Sequence, residues 1–338
     1  MTDHTTSVSA RRGALLATGV ALLCTILIWW SRPLVMSPDL LPDQGAAWYF
    51  WKLPDPTLWS RITAWGGYLL HQFFIWGLIF YAQHQALSYT KHLKPINVLA
   101  LFGTLGFVVL HWFQTAFWYD GLAQDVSVFS SQGSVILLLV MVLVMENNRR
   151  GLFWGKKIPM LNEPGRVFRR YHGYVFAWAT IYTFWFHPME NTSGHLIGFF
   201  YTFLILIQGA LMFTTMHVNK YWKVIMEVMV LFHGTLVAFM LGQEAWPMFM
   251  FGFAGMFIIT QMHGLNLKDW QKWAFLALYL GGIVAVYSER GFAHLNEVIR
   301  IPMIEYLLAL LLAGVTWLIM KMVARLQKPT PSSTAVRT

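Results

Sequence analysis

The stretch that decides the fold is RRYHGYVFAWATIYTFWFHPMENTSGHLIGFFYTFLILIQGALMFTTMH, which runs from Arg169 to His217. It contains two apolar runs, 171–187 and 195–216, separated by a short polar loop. About 17–25 mainly apolar residues are enough for a helix to cross the roughly 30 Å hydrocarbon core of a bilayer. Helices joined by a short loop become antiparallel neighbours. The stretch therefore predicts a pair of packed membrane-spanning helices.

The same pattern recurs along the whole chain of 338 residues. The composition is 57% hydrophobic and only 12% charged, whereas soluble domains carry about 25% charged residues. We predict an all-α, polytopic integral membrane helix bundle of about ten transmembrane helices, forming one membrane domain over residues 1–324. The ten predicted segments are 13–30, 62–83, 96–119, 132–147, 171–187, 195–216, 224–242, 247–264, 273–288 and 303–323.

The distribution of charge predicts the orientation of the chain. A formal net charge of +9 would suit a nucleic-acid partner, but the basic residues fall in short blocks between apolar runs, so we predict none. Lys and Arg concentrate in cytoplasmic loops of membrane proteins. A cytoplasmic N-terminus places 19 of the 24 Lys and Arg residues inside and 5 outside. We therefore predict a multi-pass protein of the cell inner (plasma) membrane with both termini in the cytoplasm.

Two polar segments lie on the predicted cytoplasmic side of the membrane, one between two predicted helices and one at the C-terminus. Residues 148–170 carry seven Lys and Arg residues, and such clusters attract anionic lipid headgroups. We predict contact with anionic lipids there, in addition to the bilayer itself. The C-terminal residues 325–338, RLQKPTPSSTAVRT, are polar and too short to bury a core, which predicts a disordered tail.

Histidines mark both ends of the two helices in the opening stretch. His172 and His187 are 15 residues apart, a rise of about 22 Å, and His195 and His217 are 22 residues apart, a rise of about 33 Å. Antiparallel packing places His172 near His217 and His187 near His195. A b-type haem is held by axial imidazole ligands, so these four residues are candidate ligands for haem b or another metal. The two rises differ by about 11 Å, so both pairs match in depth only if a helix tilts or if one pair lies in the membrane interface.

Other histidines offer alternative ligand sets. The endings FTTMHVNKYW and ITQMHGLNLKDW are alike, and they give His263 the same place at the end of its run that His217 has. His172 with His263, or His71 with His233, are the alternative pairs. A structural interpretation is equally open, because His, Lys and Trp all favour the headgroup zone of a membrane. The leading hypothesis is a redox protein that exchanges electrons with a quinone or a lipid partner.

A second hypothesis concerns the predicted outer face. His187, Glu190 and His195 offer two imidazoles and a carboxylate, a ligand type that suits zinc or non-haem iron. Asp120 and Asp125 belong to a neighbouring outer loop. These five residues are the candidate catalytic site of an enzyme that acts on a lipid-borne substrate. The structural alternative is that they form turns and helix caps.

Two further classes remain open at the level of sequence. Gln208, Thr235 and Gln261 are polar residues in apolar runs, as in a transporter of small solutes, and an assembly factor without chemistry is also compatible. The chain contains no H-E-x-x-H and no G-x-S-x-G motif. Its one cysteine, Cys24, excludes an intrachain disulfide and a Cys-based metal site.

Overall fold

The computed structural model describes residues 5–42, 44, 51–240, 242 and 244–326. It confirms the all-helical class: the protein is 77% helical, with eleven α-helices and no strand among the described residues. The helices are α1 (Ala10–Trp30), α2 (Leu58–His84), α3 (Pro95–Trp118), α4 (Val128–Met145), α5 (Asn147–Arg150), α6 (Asn162–Phe186), α7 (Ser193–Ala210), α8 (Lys220–Met240), α9 (Trp246–Ile259), α10 (Asp269–Arg290) and α11 (Glu297–Leu326).

Each of the ten predicted apolar segments coincides with one of these helices, and the eleventh, α5, has only four residues. Among the described residues, six helical segments are long and apolar enough to cross a membrane: α1, α3, α4, α7, α8 and Phe292–Leu326, which includes α11. They make the chain compatible with an integral membrane protein. The number of ten spans is approximate, and α9 shows why. Its 14 residues rise only about 21 Å, less than the hydrocarbon thickness.

Helix starts follow local sequence signals. The hydroxyls of Ser9, Thr57 and Ser127 precede α1, α2 and α4, and each accepts a hydrogen bond from a backbone N–H of the first turn. Such caps satisfy donors that have no partner within the helix. Pro95 begins α3, where the missing N–H of proline costs nothing.

The bundle has two ends, which we name after histidines. At the His172 end the chain before α1 pairs with the segment before α3, through Thr6 N and Leu93 O at 2.7 Å, and Arg149 after α4 donates to Gly264 O after α9 at 3.2 Å. At the His187 end, the hydroxyl of Thr115 near the end of α3 accepts from Met189 N at 2.9 Å.

Two buried clusters hold the helices together. The larger cluster draws on α1, α2, α3, α6 and α7, and the smaller one draws mainly on α4, α6, α9 and α11. Trp185 of α6 is fully buried in the larger cluster, where its indole lies against Gly67 of α2. Because Gly67 has no Cβ, α2 and α6 approach each other closely at this level.

The structure corrects the end of α7. The predicted segment reached residue 216, but the helix ends at Ala210, and turns follow up to Asn219. The side-chain amide of the buried Asn97 on α3 donates to Ala210 O and Met212 O, both at 2.8 Å. These two bonds satisfy carbonyls that a continuing helix would otherwise use. At the C-terminus, α11 extends to Leu326, so residues 325 and 326 are helical, and the remainder of the predicted tail lies outside the described residues.

Candidate functional site

A cavity of about 800 Å³ opens at the His172 end among α2, α4, α6, α7 and α8. Its volume is within the range of about 300–1,000 Å³ typical of small-molecule and cofactor sites. Apolar side chains such as Leu138, Phe176 and Ile205 form part of the wall. Uncharged polar side chains such as Gln83 and Thr180, and charged ones including Arg169 and Lys223, form the rest. The cavity therefore suits a ligand that has an apolar body and a charged end.

His172 and His217 both line this cavity, and their ring centroids lie 6.0 Å apart with an interplanar angle of 38°. His172 belongs to α6, whereas His217 belongs to the turns that follow α7. The shortened α7 removes the depth difference expected from sequence. His217 is hydrogen-bonded beside Gln208, which is 13 residues from His195, or about 20 Å of rise. That value is close to the rise between His172 and His187.

Each imidazole of the pair is oriented by a backbone carbonyl. Nδ1 of His172 lies 2.8 Å from Arg169 O, and Nδ1 of His217 lies 2.8 Å from Gln208 O. A carbonyl oxygen only accepts, so both Nδ1 atoms donate, and in the neutral ring the lone pair is on Nε2. Among the described residues, neither Nε2 atom has a hydrogen-bond partner. Nδ1 bonded to a carbonyl and Nε2 free is the arrangement found in metal-ligating histidines.

The position of His217 is held by side chains of α7 and α8. Gln208 donates from Nε2 to His217 O at 3.0 Å, and Trp222 donates from its indole to Gln208 Oε1 at 2.7 Å. Burial lowers the pKa of His217 to about 4, and the hydrogen bond to Gln208 O opposes this only in part. The ring is therefore neutral at pH 7 and available as a ligand or a proton acceptor.

The charged part of the wall is built from two ion-paired carboxylates. Glu146, directly after α4, lies between Arg149 and Lys223, with Lys223 Nζ 2.7 Å from Oε1. Burial raises the pKa of Glu146, but Lys223 and Arg149 together outweigh it and lower that pKa to about 2. Glu227 of α8 pairs with Arg150, whose side chain is fully buried. Both carboxylates are thus neutralised by cations of their own.

Positive charge remains in excess at the cavity. Arg169 donates from Nη1 to Met145 O at 2.6 Å, and Arg170 lies over the Tyr171 ring at 5.6 Å. Neither guanidinium forms an ion pair with a carboxylate of the described chain. This region therefore favours a ligand whose charged group is an anion.

The second predicted histidine pair, at the His187 end, is also brought together. The rings of His187 and His195 lie 4.9 Å apart in an edge-to-face arrangement, and Trp51 covers both at 4.9 and 5.4 Å. The two rings are in contact with each other. A cofactor plane between them would require a wider separation, so this pair differs from the His172 pair.

The carboxylates predicted beside those histidines have other partners. Glu190 accepts a hydrogen bond from Tyr119, and burial raises its pKa to about 7 even though Arg32 opposes the change. Asp125 pairs with Arg61 and accepts from the Trp65 indole at 2.8 Å. The third of them, Asp120, accepts from Gly121 N at 2.7 Å. Across the described ranges, no three His, Cys, Asp or Glu residues are arranged to hold a metal ion.

The alternative histidine pairs are not in ring contact. Nε2 of His263 lies 3.1 Å from Ile258 O, and this residue is not part of the cavity wall. His71 stacks on Phe107 with centroids 4.1 Å apart, whereas the ring of His233 lies 6.3 Å from that of Tyr201. The geometry therefore favours His172 with His217 over the pairs that include His263 or His233.

Sequence reasoning missed Lys223 as a wall residue and Glu305 as a buried acid. Lys223 is conspicuous only in three dimensions, because its partner Glu146 is 77 residues away. Glu305 is 3% exposed, and its Oε2 atom has no partner among the described residues. A single acidic residue within the apolar run 303–323 is the signal that would have identified it.

No known protein family, characterised protein or solved structure matches this chain. The class of protein is therefore defined by fold and site alone. It is an all-helical protein with several helices suited to a membrane, and it contains an amphipathic cavity with an imidazole pair in its wall.

Proposed function

We propose that the protein is an integral membrane electron-transfer protein that binds one b-type haem between His172 and His217. The observation that carries this proposal is the pair of imidazoles on the cavity wall, each with Nδ1 bonded to a carbonyl and Nε2 free. Bound haem supplies one-electron chemistry that amino-acid side chains alone do not provide. This proposal leaves the mixed His and carboxylate site at the other end of the bundle without a role as a metal centre.

The separation of the two rings leaves room for one metal atom that both imidazoles would hold. Two metal–nitrogen bonds of about 2 Å each, with ring centres roughly 1.1 Å behind the nitrogens, would need centroids about 6 Å apart. The centroids of His172 and His217 are 6.0 Å apart, whereas those of His187 and His195 are 4.9 Å apart. Only the pair on the cavity wall has the required spacing.

The remaining wall suits the rest of a haem group. Its apolar side chains match the flat macrocycle, and the two cations without a carboxylate partner, Arg169 and Arg170, match two carboxylates at one edge. Charge-assisted bonds between such groups are roughly twice as strong as neutral ones. The residues of the chain thus bind, orient and neutralise the cofactor, and they keep the ligating rings uncharged.

The proposal includes a location and partners. We propose that the His172 end faces the cytoplasm across an inner membrane, as the positive-inside rule favours for an end rich in Lys and Arg, and that a quinone is the lipid-soluble electron partner. Arg149 and Arg150 are committed to Glu146 and Glu227. The contact of the 148–170 loop with anionic lipids is therefore assigned to its exposed bases, which are Lys156, Lys157, Arg166, Arg169 and Arg170.

Absorbance of the detergent-purified protein tests the proposal. We expect a Soret band, a pyridine haemochrome of the b type and about one haem per chain. His172→Ala and His217→Ala should each lose the haem, while His217→Met should keep it with a shifted spectrum, because methionine is also an axial ligand. His263→Ala is the matched control, since it changes the similar sequence ending outside the cavity.

Two results would contradict the proposal. One is purified protein with no Soret band after expression with added haem precursor. The other is normal haem content in both His172→Ala and His217→Ala. A stoichiometric quinone or anionic phospholipid found by mass spectrometry in place of haem would assign the amphipathic cavity to that ligand.

A further inference from the structure

Five imidazoles outside the haem site form a connected group inside the bundle. They come from four helices and the end of α6, and they are His71, His111, His187, His195 and His233. His71 and His111 are fully buried, with 0% exposure each. Nε2 of His111 lies 3.1 Å from His187 O, and His187 is in ring contact with His195. Ionisable groups at such depth are expensive in a membrane and mark ion or proton pathways.

His233 connects this group to the cavity. On α7, Gly198 is one helical turn from His195 in one direction and one turn from Tyr201 in the other, so it neighbours both residues on the helix surface. The His233 ring from α8 packs on Gly198, where an added Cβ would lie 2.7 Å from the ring atom Cε1. His233 thus occupies the space between His195 and Tyr201. The Tyr201 ring is 6.3 Å from His233, and Tyr201 lines the cavity.

The other end of the group reaches the surface. Thr192 is exposed, and its hydroxyl lies 2.7 Å from Nδ1 of His195. Between these ends, Nδ1 of His233 is buried and has no hydrogen-bond partner among the described residues. A buried polar atom without a protein partner requires an explanation such as water or function. Here it lies between a group that reaches the surface and a group that reaches the cavity.

We propose that His195, His187, His233 and Tyr201 form a proton path that leads from the His187 end of the bundle to the cavity. Each imidazole takes up a proton as a neutral base and releases it again as an imidazolium, and each step exchanges one N–H or O–H bond for another. Nδ1 of His187 lies 2.8 Å from Pro188 O, so His187 takes up and releases the proton at Nε2. No oxidant or reductant takes part, so the path itself is neutral in electrons. Water bridges the gaps between rings that are not in direct contact.

The path depends on the proposed function in one respect. When an electron enters the cavity ligand, the path brings a compensating proton from the opposite side of the membrane. The titratable groups around it are Glu227, whose charge acts on Tyr201, and His111, beside His187. Glu227 is neutralised by Arg150, so no free carboxylate of α8 competes for the proton at the cavity end.

Proton flux through the full-length protein in liposomes tests the path without any need for haem. The liposomes contain a pH-sensitive dye, and a potassium gradient with valinomycin sets the membrane potential. We expect flux well above that of protein-free liposomes, and a decrease of about tenfold or more in His233→Ala and His195→Ala, as for the loss of a proton-transferring side chain. His84→Ala, at an exposed residue, is the matched control and should conduct like wild type.

Chemical rescue separates proton transfer from a structural role. Imidazole in the buffer should restore flux to His233→Ala, because the truncation leaves a space of that shape. The path would be overturned if the wild-type protein gave no more flux than protein-free liposomes. It would also be overturned if His233→Ala and His195→Ala both conducted protons like wild type. Failure of rescue in a variant with wild-type elution volume would also overturn it. Flux without bound haem would refute the haem proposal alone, and haem without flux would refute the path alone.

Discussion

The buried ion pair between Arg150 and Glu227 allows a quantitative test of how the cavity wall is held. The two side chains are 0% and 9% exposed, and among the described residues Nε and Nη2 of Arg150 have no other acceptor. Glu227→Gln therefore leaves a guanidinium buried without a counter-charge. Removal of one partner of a buried pair costs about 3–5 kcal/mol, and we expect values at the upper end, because nothing else within the described chain compensates Arg150.

The double variant should behave differently from the sum of the single variants. Arg150→Met with Glu227→Leu removes both charges and fills similar volumes, and such replacements are often neutral or stabilising. We expect each single variant to lose about 3 kcal/mol or more, and the double variant to recover most of that loss. SDS-induced unfolding in mixed micelles, followed by circular dichroism, measures the free energies. Asp269→Asn, in the exposed pair with Lys272, is the control and should leave the stability close to that of wild type.

An additive double variant would refute this reasoning, since additivity means that the two charges do not interact across the cavity wall. Single variants that lose less than about 1 kcal/mol would refute it as well, because the pair would then be effectively solvated.

Two further predictions concern pH and packing. The pKa of Glu146 is lowered from 4.5 to about 2, so ionised Glu146 stabilises the folded protein fully above about pH 4.5, and this stabilisation is lost as the pH falls toward 2. The free energy of unfolding in SDS should therefore fall by about 2 kcal/mol between pH 6 and pH 3 because of this group. Glu146→Gln should not show this loss. A methyl group at Gly67 would overlap with the Trp185 indole, so Gly67→Ala should lower the free energy of unfolding by about 1–3 kcal/mol. A methyl group at Gly66 would have nothing within 4 Å, so Gly66→Ala should be neutral or slightly stabilising. Equal stability of the two glycine variants would contradict the packing of α2 on α6.

The helices were predictable because the signal for them is local. Apolar runs bounded by turn-formers and charges predict membrane helices without any knowledge of the partners. All ten predicted segments coincide with helices for that reason. The association of His172 with His217 and of His187 with His195 was predictable too, because two helices joined by a short loop pack antiparallel to each other.

The end of α7 was not predictable from its own sequence. The residues LMF after Ala210 continue the apolar run, and the single Gly209 before it is tolerated inside many helices and does not by itself predict a stop. The stop is set by Asn97, 113 residues earlier in sequence from Ala210. A contact of that range depends on how α3 packs against α7, which no local pattern encodes. The rise of about 33 Å expected between His195 and His217 assumed a continuous helix, and it does not apply because α7 ends at Ala210.

For the carboxylates at the His187 end, the sequence predicted the correct region of the bundle but the wrong contacts. Glu190 and Asp125 lie in loops beside histidines, and residue type alone makes them plausible ligands. Their partners in the structure are Tyr119 and Arg61, which are distant in sequence. Imidazole and carboxylate identity therefore predicted which residues gather at this end, but not which of them contact one another.

The two histidine groups differ in the space around them, and the different roles that we propose for them rest on this difference. At the His172 end His172 and His217 line a cavity of about 800 Å³, so a large ligand has room to bind. At the His187 end the rings touch each other and Trp51, so there is room for a proton but none for a cofactor between them. Tyr201 belongs to both regions, because it lines the cavity and neighbours His233. Tyr201→Phe should therefore separate the two functions: haem content should stay as in wild type, while proton flux should fall.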